Sequence, residues 1–250
     1  MKRSILSLIL VSSLFTLSAQ QAGFGLVFGI PRNEFREATK AEGYGFNLTA
    51  LFPLGTEVVN IGGSINYQIY GLRAQNKDLY ADITSGGSVI GTIEIPLRVI
   101  NTNSIFGMHG ILRVTAPTDV VRPYMEGLVG FRYISTTTRI EDRDDFWNDD
   151  EDNVLVRRTN LADWIFSYGG GGGIQFNIGE DVYLDLRMYY LLGGRANYYD
   201  GNDTKKWEVE FNGTAYNSND IDPDDFSISA QPKNSRTDML MTQIGLTFIF

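Results

Sequence analysis

The chain closes on residues 241–250, MTQIGLTFIF. In any strand built here, Leu240, Thr242, Ile244, Leu246, Phe248 and Phe250 share one side, and Met239, Met241, Gln243, Gly245, Thr247 and Ile249 share the other. Domain ends usually fray and turn polar. A last strand that is apolar and ends on an aromatic is expected where it cannot trail off, because closure of a barrel pairs it with the first.

The same period of two recurs along the chain. Residues 23–30, GFGLVFGI, set Phe24, Leu26, Phe28 and Ile30 against Gly23, Gly25, Val27 and Gly29. Segments 43–52, 58–71, 105–115, 123–134, 163–178 and 181–195 alternate likewise. With the closing segment this makes eight strands, each long enough to cross a bilayer, which takes about 9–11 residues. Abundant glycine and aromatics favour strands, and helical periodicity is read nowhere beyond residue 20. The connections alternate too. Short ones fall at Pro53-Leu54-Gly55-Thr56, Ala116-Pro117-Thr118-Asp119 and Gly179-Glu180, and long polar ones at 31–42, 72–104, 139–160 and 196–236. That is the pattern of an antiparallel up-and-down barrel. Within 72–104, Thr92–Ile100 reads as a further strand. Extension of the following strand is preferred, and an added hairpin making ten strands is the alternative.

The position of the charges decides which face is solvated. Arg113, Glu126, Arg132, Asp163, Asp185 and Arg187 alternate with the apolar face. Burying them in a soluble core would cost several kcal/mol per ion even when paired. With the faces reversed, the apolar side meets lipid and the charges line a polar lumen, so Leu186 faces lipid and Asp185 the lumen. The first twenty residues fit this reading. Lys2 and Arg3 precede an apolar run from Ile5 to Leu17 and the small residues Ser18-Ala19, the layout of a cleaved signal peptide. The run is short for a membrane helix, which needs roughly 20 residues, although a retained anchor is the alternative. Cleavage is expected after Ala19 or Gln20, leaving 21–250 as the barrel. Removing Lys2 and Arg3 from the 21 basic residues leaves 19 against 30 acidic, a net charge of −11. That excludes nucleic acid as a partner, since its phosphates call for clustered Lys and Arg. Without cysteine there are no disulfides or thiolate metal sites.

On Arg122-Pro123-Tyr124 through Gly130, Ala162-Asp163-Trp164 with Ser167-Tyr168-Gly169-Gly170-Gly171, Tyr190-Leu191-Leu192-Gly193-Gly194 and the closing Ile244–Phe250, the chain resembles the small OmpA-like outer-membrane β-barrels of Gram-negative bacteria. The resemblance covers most of 21–250 and specifies a barrel, not an activity. It implies an outer-membrane location and a terminal strand read by the barrel-assembly machinery.

The candidate sites follow from these faces. Arg113, Glu126, Arg132, Asp185 and Arg187 are read as a lumen charge network, because an eight-stranded interior is just wide enough to be filled by side chains. His109, the only histidine, is a candidate base for a lipid hydrolase, with Ser104 and Ser167 available as nucleophiles; no spacing motif joins them. Gly169–Gly173 lies within a strand, unlike a phosphate loop, and is read as allowing bending or close packing. Two acidic clusters, with Asp144, Asp149, Asp150 and Asp152 in one and Asp220, Asp222 and Asp224 in the other, supply the oxygen ligands that Ca2+ takes but lack EF-hand spacing. Phe146 and Trp147 within the first are a candidate partner contact. The leading expectation is a non-enzymatic barrel that serves the envelope structurally or presents its acidic loops to a protein partner. Contact with outer-membrane lipid and lipopolysaccharide is part of it. A narrow pore and a His109 hydrolase are the alternatives.

Overall fold

In the computed structural model, which describes residues 21–85, 88–142, 154–199, 208–211, 226–229 and 231–250, eight antiparallel strands close into one barrel. They are β1 (Gln21–Pro31), β2 (Gly43–Leu54), β3 (Thr56–Ser85), β4 (Ser88–Thr115), β5 (Val121–Asp142), β6 (Val154–Gly179), β7 (Val182–Gly193) and β12 (Met239–Ile249). Each pairs with its neighbour in chain order, and β12 closes on β1 from Gln21 opposite Ile249 to Pro31 opposite Met239. Four short strands precede β12 at the other end: β8 (Arg195–Tyr198), β9 (Glu208–Phe211), β10 (Phe226–Ser229) and β11 (Lys233–Arg236). They pair as β8 with β11 and β9 with β10.

Eight strands, not ten, form the wall, and Thr92–Ile100 extends β4 as expected. The loop expected over 72–104 is instead mostly strand. β3 and β4 continue as one hairpin from Gly71 opposite Asn103 to Ser85 opposite Ser88. At about 3.3 Å per residue, β3 runs on for roughly 50 Å past the outer end of β2. β5 and β6 also outrun β7, so one side of the barrel is tall and the side made of β1, β2, β7 and β12 is low. Turns are tight at the opposite end. Gly55 alone joins β2 to β3 with φ +79, a conformation that favours glycine, and Glu180-Asp181 joins β6 to β7.

A short helix, α1 (Asn33–Thr39), stands where the sequence showed only a loop. Seven residues are under two turns, too few to register as a period. Its Glu, Arg and Ala are good helix formers, and Phe35 and Thr39, four apart, bury the same face. Lys40 ends it in the left-handed conformation, with its N–H bonded to the Arg36 carbonyl.

Outward positions are apolar throughout the wall. Phe24, Leu48, Met108, Phe131, Trp164, Leu186 and Ile244 all point away from the lumen and are exposed. One rung perpendicular to the strands carries five aromatics on adjacent strands: Phe46, Tyr67, Phe106, Tyr133 and Trp164. Asp185, one residue from Leu186, is buried inside, as the alternation required.

Candidate functional site

The inward faces meet in a filled lumen. Near the turns, where the strands have just left them, Glu126 on β5 stands between two guanidiniums. Arg113 on β4, on the rung opposite, donates to its Oε2 at 2.9 and 3.1 Å. Arg187 on β7 donates through Nε to Oε1. Asp185 accepts from Tyr124 Oη at 2.7 Å, Thr247 Oγ1 at 3.1 Å and Gln175 Nε2 at 3.2 Å, with Arg113 Nη1 at 4.0 Å. The Arg113 guanidinium also lies over the Tyr124 ring at 3.9 Å, and that of Arg187 over Tyr189 at 4.5 Å. All four charges are buried, so each needs these contacts to offset its lost hydration.

The glycine run belongs to the same packing. A Cβ on Gly171 would collide with the Met188 carbonyl and the Tyr189 side chain, and one on Gly173 would collide with the Tyr124 ring and hydroxyl. Bare backbone on β6 is what lets the two tyrosines lie across the lumen.

Arg132 stands apart from this cluster, although it was expected within it. Its Nη2 donates to the Thr237 carbonyl at 2.5 Å and to Thr237 Oγ1 at 3.0 Å, and it makes no ion pair within 4.0 Å among the described residues. The neighbouring carboxylate, Asp238, instead accepts from Gly193 N and Asn33 Nδ2. Gly193 is obligatory, because any Cβ there would meet the Arg132 guanidinium and Thr237. Asp163 is further out still, at the loop end, accepting from the backbone and side chain of Asn197.

His109 meets Ser167, with Nε2 2.9 Å from Oγ. No sequence spacing gave this pair; it forms because both residues face inward on the Gly130 rung. His109 Nδ1 has no hydrogen-bond partner among the described residues, so the third group that would orient a catalytic imidazole is missing. Ser104 is bonded to Ser135 at 3.0 Å.

Towards the loops the lumen holds an apolar cluster, which the sequence reading missed. Ile105, Ile134, Ile165, Leu191, Met239 and Met241 form a buried cluster with Tyr70 and Tyr198. Phe35 of α1 packs into it, edge-on to Tyr198 with centroids 5.1 Å apart. The helix is tied down by an Arg195–Glu34 ion pair at 3.3 Å, by Arg236 N donating to Glu34 and by Lys233 donating to the Ala38 carbonyl. Asp144, Asp149, Asp150, Asp152, Asp220, Asp222 and Asp224, with Phe146 and Trp147, lie outside the described residues.

No family model and no curated protein matches the chain. Solved structures do. The attachment invasion locus protein Ail of Yersinia pestis is similar at 11% identity, covering 92% of this chain and 99% of its own, with a TM-score of 0.38. A major outer membrane protein from Thermus thermophilus is similar at 13% identity and TM-score 0.41, covering 92% and 99%. At such values neither neighbour's biology transfers. The strand pairing itself gives the chain the architecture of a closed, eight-stranded antiparallel barrel.

Proposed function

We propose that the chain is an integral outer-membrane barrel, exported by the leader 1–20, that acts without catalysis. Its lumen is sealed and its tall outer strands and acidic loops meet partners outside the membrane. The outward face is the observation that supports this most. A soluble monomer rarely exposes an apolar patch beyond a few hundred Å2, yet here every wall strand presents large apolar side chains outward while Arg113, Glu126, Asp185 and Arg187 stay inside. The five-aromatic rung suits rings that gather at a membrane interface. In this reading the wall contacts outer-membrane lipid and lipopolysaccharide, the barrel-assembly machinery handles β12 during biogenesis, and an envelope protein engages the loops. Calcium at the acidic clusters belongs to the same proposal.

The direct test refolds the chain into lipid vesicles. The intact barrel should migrate differently on gels when unheated and should stay with membranes through carbonate or urea washing; release overturns the membrane reading. Leu186→Arg should cost about 2–4 kcal/mol, because the guanidinium would sit near the bilayer midplane. Equal tolerance of Arg at Leu186 and at an exposed loop position would mean that the wall does not face lipid. Steady conductance in planar bilayers would replace the sealed lumen with a pore.

One observation favours a second reading, a lipid hydrolase: the His109–Ser167 contact. Both side chains are buried in the filled lumen, away from the lipid face. Loss of a measurable lipid turnover in His109→Ala would establish it.

A further inference from the structure

We propose that the cleft between α1 and the outer ends of β1 and β2 holds a zwitterionic phospholipid headgroup, a phosphate ester joined to a primary ammonium. The inference rests on the membrane reading above and adds a specific lipid site to it.

The cleft measures about 590 Å3, within the roughly 300–1,000 Å3 of ligand pockets. Ile30 and Pro31 form its apolar wall, and Arg36, Glu37, Lys40 and Glu42 line the rest. Its height on the barrel matters. Phe28 and Tyr44, both outward and exposed, stand edge to face with centroids 5.7 Å apart. They are the last outward aromatics of β1 and β2, one outward position beyond Phe46 of the aromatic rung on β2. Rings of this kind settle at the lipid–water interface. The cleft opens immediately beyond them, where headgroups lie.

The charges point to the kind of headgroup. α1 turns Phe35 and Thr39 inward, which leaves Arg36, Glu37 and Lys40 exposed. Arg36 and Lys40 stand four apart at the end of the helix, a spacing at which like charges repel. Among the described residues, the side chains of Arg36, Glu37 and Lys40 have no hydrogen bond or ion pair, while Glu42 accepts from Tyr44 Oη at 3.3 Å. A phosphate offers oxygens to both cations and removes their repulsion. Glu37 and Glu42 then select among phosphates. A purely anionic headgroup is attracted by two side chains and repelled by two, whereas one with its own ammonium is matched by all four. A primary ammonium also brings N–H donors for a carboxylate, which a trimethylated one lacks. The wall is set beforehand, because Phe35 is buried in the lumen and Glu34 is paired with Arg195, so little ordering opposes binding.

The barrel is refolded into phosphatidylcholine nanodiscs doped equally with phosphatidylethanolamine and phosphatidylglycerol. It is then extracted into mild detergent, and the retained lipid is counted by native mass spectrometry. Phosphatidylethanolamine should be retained over both others. Equal retention of phosphatidylcholine overturns the ammonium contact, preference for phosphatidylglycerol overturns the zwitterion, and no retained lipid overturns the site. Glu37→Gln should lower the preference for phosphatidylethanolamine over phosphatidylcholine about fivefold, the effect of one well-placed ion pair. Arg36→Gln with Lys40→Gln should abolish retention, and Glu180→Gln, in the turn at the other end, should change nothing. Loss in Glu180→Gln as large as in Glu37→Gln would mean non-specific lipid and overturn the site. Gel mobility without heating reports that each variant is folded. Failure to enter nanodiscs at all defeats the membrane reading; entry without lipid preference defeats this inference alone.

Discussion

Near the turns, the lumen holds Arg113, Glu126, Asp185 and Arg187 in mutual contact; near the loops it holds Met239, Met241, Leu191 and Ile105 against Phe35. The wall around both is the same closed sheet. At the turn end, lost hydration is made good by ion pairs and tyrosine hydroxyls, and the geometry has to be right because a misplaced partner strands a charge. At the loop end the cluster is apolar, with polar groups such as Arg132 and Asp238 held at its margin by Thr237, Gly193 and Asn33, so what it needs most is a cover, and α1 with the β8–β11 pair supplies it. One interior therefore depends on partners and the other on a lid.

The largest effect should come from the shared carboxylate. Glu126→Gln leaves two buried guanidiniums without their anion and should cost about 3–5 kcal/mol in denaturant unfolding. Replacing the set together, as Arg113→Met, Glu126→Leu, Arg187→Met and Asp185→Asn, removes every buried charge from the turn end and should cost much less. If the fourfold variant is as damaged as the single one, the two interiors are not interchangeable and the comparison breaks.

Next in size is the lid. Phe35→Ala should cost about 3 kcal/mol, at the low end for a buried phenylalanine because α1 can settle into the space. Limited proteolysis should then cut first within 33–39. Unchanged cutting would mean that α1 is held by its polar ties alone. Asp185→Asn should be milder, about 1–2 kcal/mol, since the amide keeps one acceptor oxygen for the three donors now around it. A loss as large as that of Glu126→Gln would show that the 4.0 Å approach of Arg113 matters more than the hydrogen bonds. Smallest of all is Tyr80→Phe. That hydroxyl donates to Glu94 at 3.3 Å on the exposed hairpin, and its removal should leave the melting temperature unmoved.

The wall was legible because Asp185, Leu186 and Arg187 alternate without ambiguity. The loop-end interior was not, because there both faces are apolar: Tyr189-Tyr190-Leu191-Leu192, Trp164-Ile165-Phe166 and Met239-Leu240-Met241 carry no alternation to read. Such unbroken runs are themselves a sign of burial on both faces. Arg132 could not be told from Arg113 in sequence, since both alternate inward. Only the register shows that Arg113 faces Glu126 while Arg132 faces Gly107 and Ile165. The meeting of His109 with Ser167, 58 residues apart, is likewise a product of register.

The seam between β1 and β12 has a consequence for how the molecule forms. Every other wall strand pairs with its neighbour in chain order, whereas Gln21 meets Ile249 across 227 intervening residues. Loop-closure entropy grows with that span, and a topology completed by its most distant contact folds slowly. The sheet can grow hairpin by hairpin, but its two free edges stay open until the last strand arrives. Once they join, unzipping must begin against a continuous ring of hydrogen bonds, so the folded state should persist by the height of its unfolding barrier as much as by its depth.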